Sequence, residues 1–155
     1  MNPDHLLDQA NLLIQASVAG APRQVDLRRA ISTAYYALFH FAMSAAADMA
    51  VSKAARRNNP DGYARAYQSI NHDELVKRAQ EARAVGRNIA AFADAIVALQ
   101  QARHRADYDP RYRVSKSEAV AKVLTARAAI ARFEGAGEEE RKACLAMLLF
   151  KRRRP

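Results

Sequence analysis

Little in this chain of 155 residues breaks a helix or ties one segment to another: it holds five glycines, five prolines, one cysteine and no tryptophan. The lone Cys144 excludes an intrachain disulfide and suits a reducing compartment, so a cytoplasmic protein is expected. No stretch approaches the roughly 20 consecutive apolar residues that span a bilayer, and the first residues lack the basic-then-apolar order of a secretory signal. A membrane is therefore not an expected partner. The histidines stand singly at 5, 40, 72 and 104, which excludes a zinc-type cluster. There is no glycine-rich phosphate loop either, so neither metal nor cofactor is expected. No segment alternates with the period of a strand, and no internal repeat appears.

What is present is helical periodicity and positive charge. From Leu27 to Met49 the chain runs without glycine or proline, and at about 100° per residue Leu27, Ile31, Ala34, Leu38, Phe41, Ala42, Ala45 and Met49 share one stripe. The other side carries Arg29, Thr33, Tyr36, His40 and Met43 at helical spacing, with Tyr35 and Phe39 on the flank. A helix apolar on one side and aromatic-basic on the other should be covered twice, here by another helix, a partner chain or a ligand. Because a single bundle offers no second layer, a homodimer through the Arg29-Tyr36-His40-Met43 face is expected.

The remaining segments follow in order. Asn2 and Pro3 open a first helix with Leu6, Ala10, Leu13 and Ile14 inward, ended by Gly20. After the turn chemistry at Arg56–Gly62, Tyr63 to Ile70 forms a short helix, and Asn71-x-x-Glu74 caps another through about Arg83. From about Arg87 a long helix places Ile89, Phe92, Ile96 and Leu99 on one stripe that continues into Arg103, Ala106 and Asp107. Pro110 pushes Asp109 out of helical geometry and ends it. Ser115-x-x-Glu118 caps a further helix, with Val120, Val123, Leu124 and Ala131 inward. A last segment runs from Glu138-Glu139-Glu140 to Lys151–Arg154, the charge order that complements a helix macrodipole, without one clean stripe. The expected fold is all-α: an up-and-down bundle of four long helices with short accessory helices over 1–134 and a basic C-terminal appendage over 135–155.

The balance of 25 Lys and Arg against 16 Asp and Glu gives a net charge of +9, which favours an anionic partner, nucleic acid ahead of membrane. Four of these charges sit in Lys151–Arg154, and a solvated basic surface accounts for the rest equally well. Two constellations carry candidate chemistry. Arg103 at the mouth of the bundle can clamp a phosphate, with Asp107 fixing its guanidinium and Tyr108 offering a hydroxyl or stacking face; a buried structural ion pair is the alternative. His40, beside Tyr36 and Arg29, can exchange protons near neutral pH; a packed histidine bonded across the bundle is its alternative. The catalytic candidates are therefore His40, Arg103 and Asp107. RNA or nucleotide binding is assigned to Arg29, Tyr36, His40, Arg103, Arg105, Tyr108, Arg111 and Arg113, where arginines interleave with aromatics as single-stranded RNA requires.

The run Arg29-Ala30-Ile31-Ser32-Thr33-Ala34-Tyr35-Tyr36-Ala37-Leu38-Phe39-His40, followed downstream by Arg103-His104-Arg105-Ala106-Asp107-Tyr108-Asp109, resembles the HEPN family (higher eukaryotes and prokaryotes nucleotide-binding domains). The closer resemblance is to the small prokaryotic branch with an AYY-x-x-FH helix and a later ADYD. It covers roughly residues 4 to 133. The resemblance implies an RNA- or nucleotide-binding component of a toxin-antitoxin or defence-type pair, working with a small nucleotidyltransferase partner. Active HEPN nucleases carry an arginine followed, after four to six residues, by a histidine. Here the positions reached from Arg103 are Tyr108, Asp109 and Pro110, and only Arg65 with His72 has the spacing, across the break at Asn71. The implied module thus lacks the standard nuclease motif. An endoribonuclease with a divergent site and a structural dimerisation subunit are the alternatives.

Overall fold

The structure is a computed structural model that describes residues 1–15 and 20–150, the Ala55 side chain excepted. Among these the chain forms eight α-helices, one 3₁₀ turn and no strand. They are α1 (Pro3–Gln15), α2 (Gln24–Val51), α3 (Ala55–Asn58), α4 (Pro60–Tyr67), α5 (His72–Ala82), the 3₁₀ turn Arg83–Val85, α6 (Arg87–Tyr108), α7 (Lys116–Glu134) and α8 (Glu138–Leu149). No helix among the described residues is long and apolar enough to cross a membrane. The expected basic run Lys151–Arg154 lies outside the described residues.

Local signals set the boundaries. The Asn71 side chain accepts from the Glu74 amide at 2.9 Å and opens α5, and the Ser115 hydroxyl does the same for Glu118 at 3.1 Å, opening α7. Asp109 is extended, as its proline neighbour demands, and α6 stops at Tyr108. The short helix expected from Tyr63 starts earlier, at Pro60, because Asn59 caps it through the Gly62 amide and proline suits the first helical position.

All-helical packing centres on α2, which touches α1, α4, α6, α7 and α8. Its expected stripe is buried at Leu27, Ile31, Ala34 and Leu38, but Tyr35, Met43 and Ala46 are buried as well. The face expected to meet a partner is covered in part by the chain itself, at Tyr35 by His72 of α5 and at His40 by Tyr67 of α4, while Arg29 on that face is exposed. Ile89, Phe92, Ile96 and Leu99 of α6 are fully buried as their stripe requires.

Two expectations are corrected. In α7, Val120 and Leu124 are 37% and 58% exposed and Ala131 is exposed, whereas Ala119, Val123, Ala126 and Phe133 face inward. The helix is apolar on both sides. Its alanine face lets it approach α2 closely, so the larger side chains mark the wrong stripe. The segment after Gly137 is also no appendage: Cys144 and Leu148 of α8 lie in the common core. Burial pushes the Cys144 thiol up to about 12, keeping it protonated.

Arg78, 7% exposed on α5, locks α8 in place. Its Nη1 donates to the carbonyl oxygens of Leu148 and, at 3.0 Å, Leu149, two acceptors that the end of a helix leaves open. Arg78→Ala should cost about 3 kcal/mol by stripping these acceptors of their donor. Denaturant unfolding measures the loss, and amide exchange should rise first in α8. A change within about 0.5 kcal/mol would show that α8 holds without the arginine.

Candidate functional site

The site lies where the N-terminal half of α2 meets the last turns of α6. Arg28 builds the junction: its Nε donates to the Ala106 carbonyl at 2.6 Å and its Nη2 to the Asp109 carbonyl at 2.8 Å, satisfying the open end of α6. Gln24 pins the following loop by donating to the Val114 carbonyl at 2.8 Å and accepting from the Val114 amide at 2.9 Å. With these ends fixed, Arg103 on α6 stands over α2.

Arg103 Nη2 donates to the Tyr36 hydroxyl at 2.8 Å. Its Nε lies 2.8 Å from Asp107 Oδ2, with the two side chains 16% and 24% exposed. That N–H is not aimed at a hydrogen-bond acceptor among the described residues, so charge rather than a directed bond holds the pair. The Ser32 hydroxyl donates to the other carboxylate oxygen of Asp107. The Arg103 guanidinium sits 5.5 Å from the Tyr36 ring centroid and 5.6 Å from that of Tyr108, within cation–π range of both. Burial opposes its charge, but the Tyr36 hydroxyl and Asp107 more than offset this and its pKa is raised. Tyr108 itself is 64% exposed.

Two imidazoles complete the cluster. The Tyr35 hydroxyl and His72 Nδ1 are 2.8 Å apart, and the His72 ring lies 4.2 Å from that of Phe39. One turn further along α2, His40 Nδ1 meets the Tyr67 hydroxyl of α4, and its ring stacks with Tyr36 at 6.3 Å. Burial, with a smaller contribution from Arg103, lowers the His72 pKa; burial also lowers that of His40. As the first residue of α5, His72 faces the positive end of the helix dipole, which acts in the same direction. Both rings are therefore neutral at physiological pH. Tyr35 keeps its proton because burial raises its pKa.

Of the residues assigned from sequence, Tyr36, His40, Arg103, Asp107 and Tyr108 come together. Arg29 is exposed and stands apart from them. Arg105 faces elsewhere, donating to the Tyr112 hydroxyl at 3.3 Å beside Glu118. Arg111 is 93% exposed and Arg113 is exposed, both in the loop after α6. Ser32, Arg28 and His72 were not foreseen here. His72 had drawn notice only through its spacing from Arg65, which is exposed and separated from it by the break before α5. Its cap was visible in sequence, but nothing local shows where that helix end docks.

Two outcomes follow. Asp107→Ala should cost about 2 kcal/mol, between the values for surface and buried pairs, by leaving the Arg103 charge without its counter-ion; thermal melts measure it. For the imidazoles, folded pKa values below 6.5 mean that the unfolded chain binds more protons below that pH. Their stabilisation is complete above pH 6.5 and is lost as pH falls through the folded values. The melting temperature should drop from about pH 7 to about pH 5, and the His40→Gln, His72→Gln double variant should flatten that drop. A flat wild-type profile would mean that both rings are solvated.

Compared with known proteins, the chain matches no family model, no curated protein and no solved structure.

Proposed function

We propose that this protein is a HEPN-type helical bundle module that binds single-stranded RNA or a nucleotide at the Arg103 cluster. In this reading it is a cytoplasmic homodimer within a toxin-antitoxin or defence-type pair, beside a small nucleotidyltransferase. The observation that carries the binding site is the Arg103 guanidinium between the Tyr36 and Tyr108 rings, with Tyr108 64% exposed. A base stacks on the open ring while the guanidinium attracts its phosphate, and the buried hydrogen bond to Tyr36 holds the cation in place. The family, the partner and the paired system rest on the AYY-x-x-FH and ADYD resemblance.

The endoribonuclease reading is favoured by one observation, the His72 imidazole 5.8 Å from the Tyr36 ring, whose hydroxyl accepts from Arg103. His72 then replaces His40 as the proton-transfer group, with Tyr35 fixing its ring.

Purified protein with single-stranded RNA tests both readings. Tyr108→Ala and Arg103→Gln should each weaken binding by about 1–3 kcal/mol, the range of a lost stacking or charged contact. A chain ending at Phe150 removes the basic run while keeping Cys144 and Leu148 in the core; it should retain most of the binding. Cleavage abolished by His72→Ala selects the nuclease. Absence of both binding and cleavage leaves a structural dimerisation subunit.

A further inference from the structure

The surface beside Tyr108 continues along α6 as a cleft. Gln101 is followed by His104 and Arg105 three and four residues on, and these by Tyr108 four and three residues on, and the His104 ring lies 5.0 Å from that of Tyr108. Opposite them, Lys122 of α7 completes an open cleft of about 540 Å³, whose floor includes Ala98 and Ala102. No acidic side chain lines it, and Lys122 forms no ion pair among the described residues. At the end of the cleft Arg105 meets the Tyr112 ring, 4.5 Å from the guanidinium, and Glu118 of α7 at 3.7 Å, one turn before Lys122. The cleft thus joins the Arg105 guanidinium, paired with Glu118 at its end, the Lys122 ammonium and side-chain amides that hydrogen-bond to oxygen. Ala98 to Arg105 spans about 10 Å along the helix, longer than one nucleotide, and Tyr108 stands one turn beyond.

We infer that this cleft is a phosphodiester track: a single RNA strand with one base on Tyr108 runs back along α6, its backbone between Arg105 and Lys122. The inference rests on the binding site proposed above and fixes the path of the strand. The competing exit is the loop carrying Arg111 and Arg113. Within the cleft Arg105 and Lys122 face a phosphate from opposite walls, Arg105 with its charge partly offset by Glu118, whereas Arg111 and Arg113 are exposed on a single loop.

Fluorescence anisotropy with a hexanucleotide and a dinucleotide of uridine over a salt series tests the path. Lys122→Gln should weaken the hexanucleotide several-fold and Lys122→Glu further, with the log–log salt slope reduced by about 0.7 for each lost phosphate contact. The dinucleotide, seated at Tyr108, should bind both variants like wild type, while Tyr108→Ala weakens both ligands. Unchanged hexanucleotide affinity and slope in both Lys122 variants, with a loss in Arg113→Gln, would overturn the track and send the strand along the loop. The underlying binding site would fail separately if Tyr108→Ala and Arg103→Gln left both ligands unaffected. Circular dichroism of each variant confirms that the helices are retained.

Discussion

Four polar side chains on α2, Ser32, Tyr35, Tyr36 and His40, are turned away from bulk water, and each is met by a group from another element. Ser32 is taken by Asp107 and Tyr36 by Arg103, both from α6, Tyr35 by His72 from α5, and His40 by Tyr67 from α4. A buried hydroxyl or imidazole without a partner would cost about 1–3 kcal/mol. The ladder of partners therefore selects one arrangement of α4, α5 and α6 around α2. Sliding α5 by a turn would orphan Tyr35, and rotating α6 would orphan Ser32 and Tyr36 together.

This satisfied ladder also sets the electrostatics. Arg103 is the cation on this face, and its hydrogen bond to Tyr36 and its carboxylate neighbour keep it charged although it is largely enclosed. The same charge helps to lower the pKa of His72, so near neutral pH the Arg103 cation stands beside an uncharged ring. Asp107 compensates from one side and is itself held by Ser32, which leaves the Tyr108 side of the guanidinium facing the solvent-exposed ring. An anion approaching there meets a positioned charge and a flat aromatic surface at once.

What could be read in sequence was mostly local. Pro110 acts on its own neighbour, and Asn71 and Ser115 cap within one turn, so the ends of α5, α6 and α7 were legible. The long stripe of α6 was legible because it mixes large apolar residues with polar ones. In α7 alanines face inward while Val120 and Leu124 are exposed, so side-chain size misled the reading of its orientation. The cover over α2 was illegible for a different reason. α4 has no fully buried residue and α5 is short, and the bonds that bring them to this face of α2 reach positions some 27 and 37 residues earlier in the chain. Arg103, Asp107 and Tyr36 could be nominated because two separate helices each carried an anomaly, charge on a core stripe and aromatics on a second face. His72 had no such anomaly.

A site assembled in this way depends on helices that contribute nothing to its chemistry. α5 carries His72 at its first residue and Arg78 two turns on, and Arg78 grips the last carbonyls of α8. α8 in turn places Cys144 and Leu148 in the common core, so α5 is held at one end by Tyr35 of α2 and along its length by α6 and α8. Loosening α8 removes one of the two helices packed along α5 and leaves α6, the phenol–imidazole bond and the Phe39 contact to hold it. The C-terminal helix is thus, with α6, a buttress of the imidazole beside Arg103. A defect there should be felt at the Tyr35–His72 contact, because α5 is the rigid element that connects the two ends.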